Sequence, residues 1–173
     1  MKSKRTFRLV LASVFCAMVF TMTWIAIPTP SFGNINLGDC MIILSALLLG
    51  NSYAVIASGV GAMLCDIASG YTIYAPGTFV IKALMVTVII LFGKYLFKND
   101  KQVSHIVSGA VAELVMVAGY LVYEAFVLGY GVAAVVNIPF NLVQGTVNLI
   151  VAVLLYTMLK KSGVVKAIKD SIN

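Results

Sequence analysis

Five ionisable residues lie inside otherwise apolar runs: Asp39, Asp66, Lys82, Glu113 and Glu124. Charge in an apolar segment is expensive and marks a functional position unless a partner neutralises it. Beside them runs a series of amides, Asn137, Asn141, Gln144 and Asn148, spaced at i, i+4, i+7 and i+11, which is one face of an α-helix. Glu113, Tyr120 and Glu124, at offsets of 7 and 11, share a face of a second helix. Such side chains do not form a nucleophile–base pair or a metal cluster. They offer hydrogen-bond donors, acceptors and ring faces, which is the chemistry of ligand capture. Two readings stay open for the amides, interhelical hydrogen bonding and ligand contact, and for Glu113 helix packing competes with substrate contact. Lys82 either pairs with Asp66 in a buried ion pair or donates to a ligand oxygen.

The elements that hold these residues are set by composition. The chain has 173 residues, 61% hydrophobic and 10% charged, and a mean hydropathy of +1.04, far from the usage of an ordinary soluble domain. Apolar runs cover about 7–27, 37–49, 53–69, 78–97, 104–128 and 135–159. The second, at about 1.5 Å per residue, reaches only about 20 Å of a hydrocarbon core about 30 Å thick, so it is a short span or a re-entrant helix. The expected fold is all-α, a single integral membrane domain over 1–173 with six transmembrane helices.

Cations set the orientation. Lys2, Lys4, Arg5 and Arg8 precede the first run, Lys94, Lys98 and Lys101 follow the fourth, and Lys160, Lys161, Lys166 and Lys169 follow the sixth. Only Lys82 lies elsewhere. The positive-inside rule puts these three clusters on the cytoplasmic side, with both termini there. A break at Gly50-Asn51-Ser52 supplies the even number of crossings. The connections 28–36, 70–77 and 129–134 then face outward; they contain no Lys or Arg and are rich in Gly, Pro, Asn, Ser and Tyr, as suits lids or tight turns. Asp39, Asp66, Lys82 and Glu124 fall in the outer half.

Several classes are disfavoured. The net charge of +6 is accounted for by the flanks of spans, with no basic stripe for nucleic acid. No phosphate loop of the GxxxxGK[ST] type occurs, so ATP hydrolysis belongs to a partner. Cys16, Cys40 and Cys65 lack CxxC or metal spacing and read as small packing residues. No catalytic residue and no metal ligand is expected, since His105, the single histidine, has no Cys or His companion at ligand spacing. The first run is too long for a signal-peptide core and is expected to remain a span.

Small residues complete the pattern. Ala54, Ser58 and Ala62 form one ridge of the third run, and Ala12–Cys16 and Ser13–Ala17 are small-xxx-small pairs in the first. With Asn36-Leu37-Gly38-Asp39, Asp66-Ile67-Ala68-Ser69-Gly70-Tyr71 and Tyr74-Ala75-Pro76-Gly77-Thr78, followed by Ile81-Lys82, the chain resembles the substrate-binding S component of an energy-coupling factor (ECF) vitamin transporter. It is similar to the riboflavin-transporter-like branch, which includes pyridoxine and hydroxymethylpyrimidine types.

The resemblance implies a subunit of a bacterial plasma membrane that captures one vitamin near its outer surface. It implies a transmembrane T component and two ABC ATPases as partners, no covalently bound cofactor, and ATP used only by those ATPases. Ala12, Ser13, Cys16 and Ala17 match the family's T-component contact, although either register replaces one Ala of the usual AxxxA with Ser or Cys. The expected substrate-binding set is Asn36, Asp39, Tyr71, Tyr74, Lys82, Tyr120, Glu124, Asn141 and Gln144. Pyridoxine or hydroxymethylpyrimidine is the leading ligand, with riboflavin or thiamine next. The rivals are a self-sufficient proton-coupled vitamin carrier using Glu113 and Glu124, and an intramembrane enzyme.

Overall fold

A computed structural model describes residues 2–30, 33–95 and 102–172. Lys98 and Lys101 of the middle cationic cluster lie outside the described residues. The order is α1 (Lys2–Trp24), a hairpin of β1 (Ala26–Pro28) and β2 (Asn34–Asn36), α2 (Gly38–Leu49), α3 (Ser52–Ala68), α4 (Ala75–Tyr95), α5 (Gln102–Val122), a π-helical turn (Tyr123–Val127), a 3₁₀ segment (Gly131–Asn137), α6 (Ile138–Lys161) and α7 (Val164–Ile172). Four helical stretches are long and apolar enough to cross a membrane, namely Lys4–Trp24, Ala75–Lys94, Gln102–Val127 and Gly131–Lys161. Gly38–Leu49 and Ser52–Ala68 are shorter apolar helices.

The short α2 is the centre of the bundle. All of its residues but Leu47 are buried, and it contacts α1, α3, α4 and α6. A helix apolar on every side must be enclosed by others, which is why no amphipathic stripe is visible in its sequence. Its start is fixed locally by the Asn36 side chain, whose oxygen accepts from the Gly38 N–H at 2.9 Å. Its end is fixed by Gly50, left-handed at φ +59°, whose N–H returns to the Ala46 carbonyl at 3.0 Å. Asn51 then caps α3 by accepting from the Tyr53 N–H at 3.0 Å.

Small residues bring the neighbours close. A Cβ on Gly61 of α3 would stand 2.5 Å from the Cys16 carbonyl oxygen of α1, so these backbones meet directly. Ala12 is buried with Phe15 and Val19 on the inward side of α1, whereas Ser13 and Ala17 are exposed. The two small pairs of α1 are therefore not equivalent: 12/16 is used inside the chain, and 13/17 faces outward.

The structure differs from the sequence reading at several boundaries and in one added helix. The first helix ends at Trp24 rather than 27, because residues 26–28 pair as a strand with 34–36 (Ala26↔Asn36, Ile27↔Ile35, Pro28↔Asn34). The fourth helix begins at Ala75 rather than 78, with Pro76 in its first turn, where a missing N–H costs nothing. Residues 164–172, read only as a cationic tail, form α7, with Val165 and Ile172 buried and the Ile172 carbonyl held by the Arg8 guanidinium.

Candidate functional site

Thr78 and Lys82 are one turn apart on α4, and Tyr74, four residues before Thr78, ends the preceding loop on the same side. Tyr120 and Glu124 present a matching side of α5 and its π turn, and Asn137, Asn141 and Gln144 do so on the 3₁₀ segment and α6. Between these three faces, beneath the β1–β2 hairpin, lies a cavity of about 110 Å³. Trp24, Asn34, Asn36 and Tyr71 stand on its lining with those residues, as do Asp66 and Ser69 from the end of α3.

Lys82 is anchored at the deep end. Its ammonium lies 2.5 Å from Asp39 Oδ1, with side-chain exposures of 6% and 1%, so the pair is sealed from solvent. The second Asp39 oxygen accepts from Gln144 Nε2 at 2.7 Å, and the Tyr120 ring lies under Lys82 Nζ at 5.2 Å. Asp39 also occupies the first turn of α2, where the helix dipole favours an anion. Both charges of the pair are thus compensated, and Lys82 retains two N–H donors beyond the one given to Asp39. The partner of Lys82 is Asp39 and not Asp66.

Glu124 stands one turn beyond Tyr120 on the lining. It is buried at 3% exposure and accepts from Asn137 Nδ2 at 2.8 Å and from the Tyr74 hydroxyl at 3.5 Å. Burial, and then the neighbouring Glu124 charge, push the Tyr74 phenol well above its ordinary value, so it stays a donor. Because the Asn137 NH₂ faces the carboxylate, its Oδ1 is left over, and it is buried without a hydrogen-bond partner among the described residues. Asp66 Oδ2 is in the same condition. Two elements, the 3₁₀ segment and α3, therefore each bring an unpartnered acceptor to the lining.

Tyr71 and Tyr74 meet edge to face, with centroids 6.4 Å apart, and Tyr123 closes on Tyr74 at 6.3 Å while donating to the Ile73 carbonyl at 2.8 Å. The hairpin is tied to α6 rather than free: the Asn36 N–H donates to Gln144 Oε1 at 3.1 Å, and Asn148 Nδ2 donates to the Asn36 carbonyl at 2.8 Å.

Eight of the nine residues expected to bind ligand, Asn36, Tyr71, Tyr74, Lys82, Tyr120, Glu124, Asn141 and Gln144, stand on the cavity lining; Asp39 lies behind Lys82, fully buried. The amide series divides. Asn148, 0% exposed, accepts from the Cys40 N–H at 2.7 Å and is wholly structural, whereas Asn141 and Gln144 reach the cavity. Glu113, seven residues and about 10 Å before Tyr120, lies below the floor and lines a separate cavity. His105 packs edge-on against Tyr156 at 4.5 Å and is not on the lining. Among the described residues, no group of three or more His, Cys, Asp or Glu side chains is placed to hold a metal ion.

Asn137, in the amide series but outside the expected binding set, is on the lining, and so are Thr78, Trp24 and Asn34, which are also outside that set. The helical phase with Lys82 is a usable signal for Thr78. Trp24 and Asn34 reach the cavity only through the hairpin, which has no such signal.

Comparison with known proteins adds the following. The family model described as "ECF-type riboflavin transporter, S component" matches residues 3–161. A Pyrococcus woesei protein described as "Uncharacterized protein in gap 3'region" is 35% identical over 147 residues, covering 84% of this chain and 95% of its own length. "Thiamine precursor transporter HmpT" of Lactococcus lactis subsp. cremoris (strain MG1363) is 26% identical over 174 residues, 99% of this chain and 98% of that one. A solved structure described as "Structure and mechanism of the S component of a bacterial ECF transporter" superposes with a TM-score of 0.74 at 25% identity, over 91% of this chain and 97% of that one.

Proposed function

The chain belongs to the family of ECF-type riboflavin transporter S components, and from that membership we propose that it captures a one-ring heteroaromatic vitamin or vitamin precursor for ATP-driven import. The family is one of transport components rather than enzymes. The leading ligands are hydroxymethylpyrimidine and pyridoxine.

The observation that carries this reading is a cavity lined by buried acceptors and a charged donor together. Asn137 Oδ1, beside the Glu124 carboxylate, and Asp66 Oδ2, on α3, are buried acceptors in need of donors. Lys82, over the Tyr120 ring, has N–H groups to give. A flat ring bearing an amino or hydroxyl group together with a ring nitrogen or hydroxyl oxygen satisfies both kinds. Tyr71 and Tyr74 offer ring faces to it.

Size supports the same class. At about 110 Å³ the cavity is well below the roughly 300 Å³ at which pockets for drug-sized ligands begin, so one ring suits it better than a three-ring flavin. The relative named as a thiamine precursor transporter favours the pyrimidine over pyridoxine.

In the membrane, six crossings with both termini cytoplasmic place the hairpin and the 70–77 loop outside. Energy then comes from a T component and two ABC ATPases in a bacterial plasma membrane, with the exposed Ser13–Ala17 ridge of α1 as the T-component contact. Native mass spectrometry of the protein purified from rich medium, followed by calorimetric titration with both ligands, tests the capture role. One equivalent of hydroxymethylpyrimidine or pyridoxine is expected; a protein that emerges empty and binds neither refutes it.

A further inference from the structure

A second cavity, of about 210 Å³, lies between α5 and α6. Its lips are Leu114 and Leu142, 58% and 44% exposed, and Leu149 lines it further in, so it opens laterally, toward lipid. Apolar walls alone would make it a packing defect. Glu113 makes it a site: the residue is 6% exposed, and neither carboxylate oxygen has a hydrogen-bond partner among the described residues.

The fold makes room for this carboxyl. A Cβ on Gly145 would stand 3.0 Å from both Glu113 Cβ and Oε2, so a side chain there would crowd the acid. Among the described residues none forms an ion pair with it, the buried ammonium of Lys82 being paired with Asp39 at 2.5 Å. A carboxylate in apolar surroundings requires a charged, hydrogen-bonded partner to stay ionised. Two acceptor oxygens with no partner favour a ligand that donates more than one hydrogen bond and carries positive charge. An ammonium does both, an alcohol gives one donor, and an anion is repelled.

We propose that this lateral cavity is a second binding site, for a small lipophilic amine that reaches it from the bilayer and pairs its ammonium with Glu113. It is distinct from the site beneath the hairpin, although Asn141 lines both. The inference does not rest on the identity of the transported ligand.

The test uses the full chain in detergent with n-hexylamine as probe, n-hexanol as its uncharged control, and Glu113→Gln as the variant. At ten times its dissociation constant, n-hexylamine is expected to raise the melting midpoint of the unsubstituted protein by about 3–6 °C. Hexanol, and hexylamine with Glu113→Gln, are expected to give no such rise. A second measurement needs no variant. Dicyclohexylcarbodiimide activates carboxyl groups in apolar surroundings, and peptide mapping is expected to find Glu113 modified, with the summed modification, N-acylurea plus any hexylamide formed when the amine displaces dicyclohexylurea, slowed about tenfold at the same hexylamine concentration. An equal shift with hexanol, an equal shift in Glu113→Gln, no shift at all, or labelling that hexylamine does not slow each overturns the proposal; the last would leave Glu113 as a protonated acid only.

Discussion

Replacing Asp39 with Leu removes the only acceptor shown for the Lys82 ammonium and leaves a charge in a site where Lys82 is 5% exposed. Breaking a buried pair from one side costs about 3–5 kcal/mol, because the remaining ion is uncompensated. At about 2–4 °C per kcal/mol for a chain of this size, the melting midpoint should fall by about 6–20 °C. Lys82→Met, which strands Asp39 instead, should cost a similar amount. The double variant differs, because neither charge remains: its cost is mainly the Gln144 amide, which loses Asp39 Oδ2 as its 2.7 Å acceptor, about 1–3 kcal/mol. The single costs add to about 6–10 kcal/mol, so the cycle should show at least ~3 kcal/mol of coupling. Heated samples in detergent, scored by gel filtration for the surviving monodisperse peak, give the midpoints. Ligand titrations followed by Trp24, which lines the cavity, then separate stability from binding. The folded double variant should bind about tenfold to a hundredfold more weakly, for loss of one charged hydrogen bond. Additive midpoints, with the double variant as damaged as the two singles combined, would refute the reasoning that Lys82 and Asp39 form one compensated unit.

Asn137→Leu deletes a cavity acceptor and the amide donor to Glu124, and should weaken binding at least about tenfold, as loss of a hydrogen bond to a charged group predicts; unchanged calorimetric affinity would remove Asn137 from the site. Gly61→Ala puts a methyl 2.5 Å from the Cys16 backbone oxygen, which cannot swing aside, and should cost about 1–3 kcal/mol by overpacking α1 against α3. Gly93→Ala is the control: in the last turn of α4 as described it meets nothing within 4 Å, and it should be neutral or stabilise by up to about 1 kcal/mol, read as no fall in melting midpoint. Ala17→Trp, on the exposed side of α1, should leave ligand affinity intact while abolishing uptake in cells that hold the partner subunits; Ala12→Trp, on the buried side, should instead reduce the yield of folded protein.

What the sequence made legible follows from how local each signal is. The polar faces of α4, α5 and α6 repeat at helical spacing, so Lys82, Tyr120, Glu124, Asn141 and Gln144 could be assigned to inward faces before any tertiary contact was known. The partner of Lys82 could not be assigned in that way. Asp39 begins the short helix α2 and Asp66 lies near the end of the short helix α3, and choosing between them requires the packing of α2 at the centre of the bundle, Asp39 being 43 residues from Lys82 in sequence. The hairpin is invisible for another reason: three-residue strands, one ending in Pro28 and followed by Thr29 and Pro30, carry the composition of a loop, and their pairing is held by Asn36, Gln144 and Asn148 across more than 100 residues. The α7 helix was legible, since Val164, Val165, Ile168 and Ile172 recur at helical spacing, but its four neighbouring lysines drew the reading toward charge alone. Glu113 shares a helical face with Glu124 yet opens into a different cavity, because phase fixes direction around a helix and not depth along it.

Capture by this chain with energy supplied by others is tested by uptake of radiolabelled hydroxymethylpyrimidine into proteoliposomes holding this chain alone, or with the T component and the two ATPases, with and without internal ATP and with and without a proton gradient. Binding but no accumulation by the chain alone, and ATP-dependent accumulation only with all partners, is the expected result. Accumulation by the chain alone, driven by the proton gradient, would contradict it.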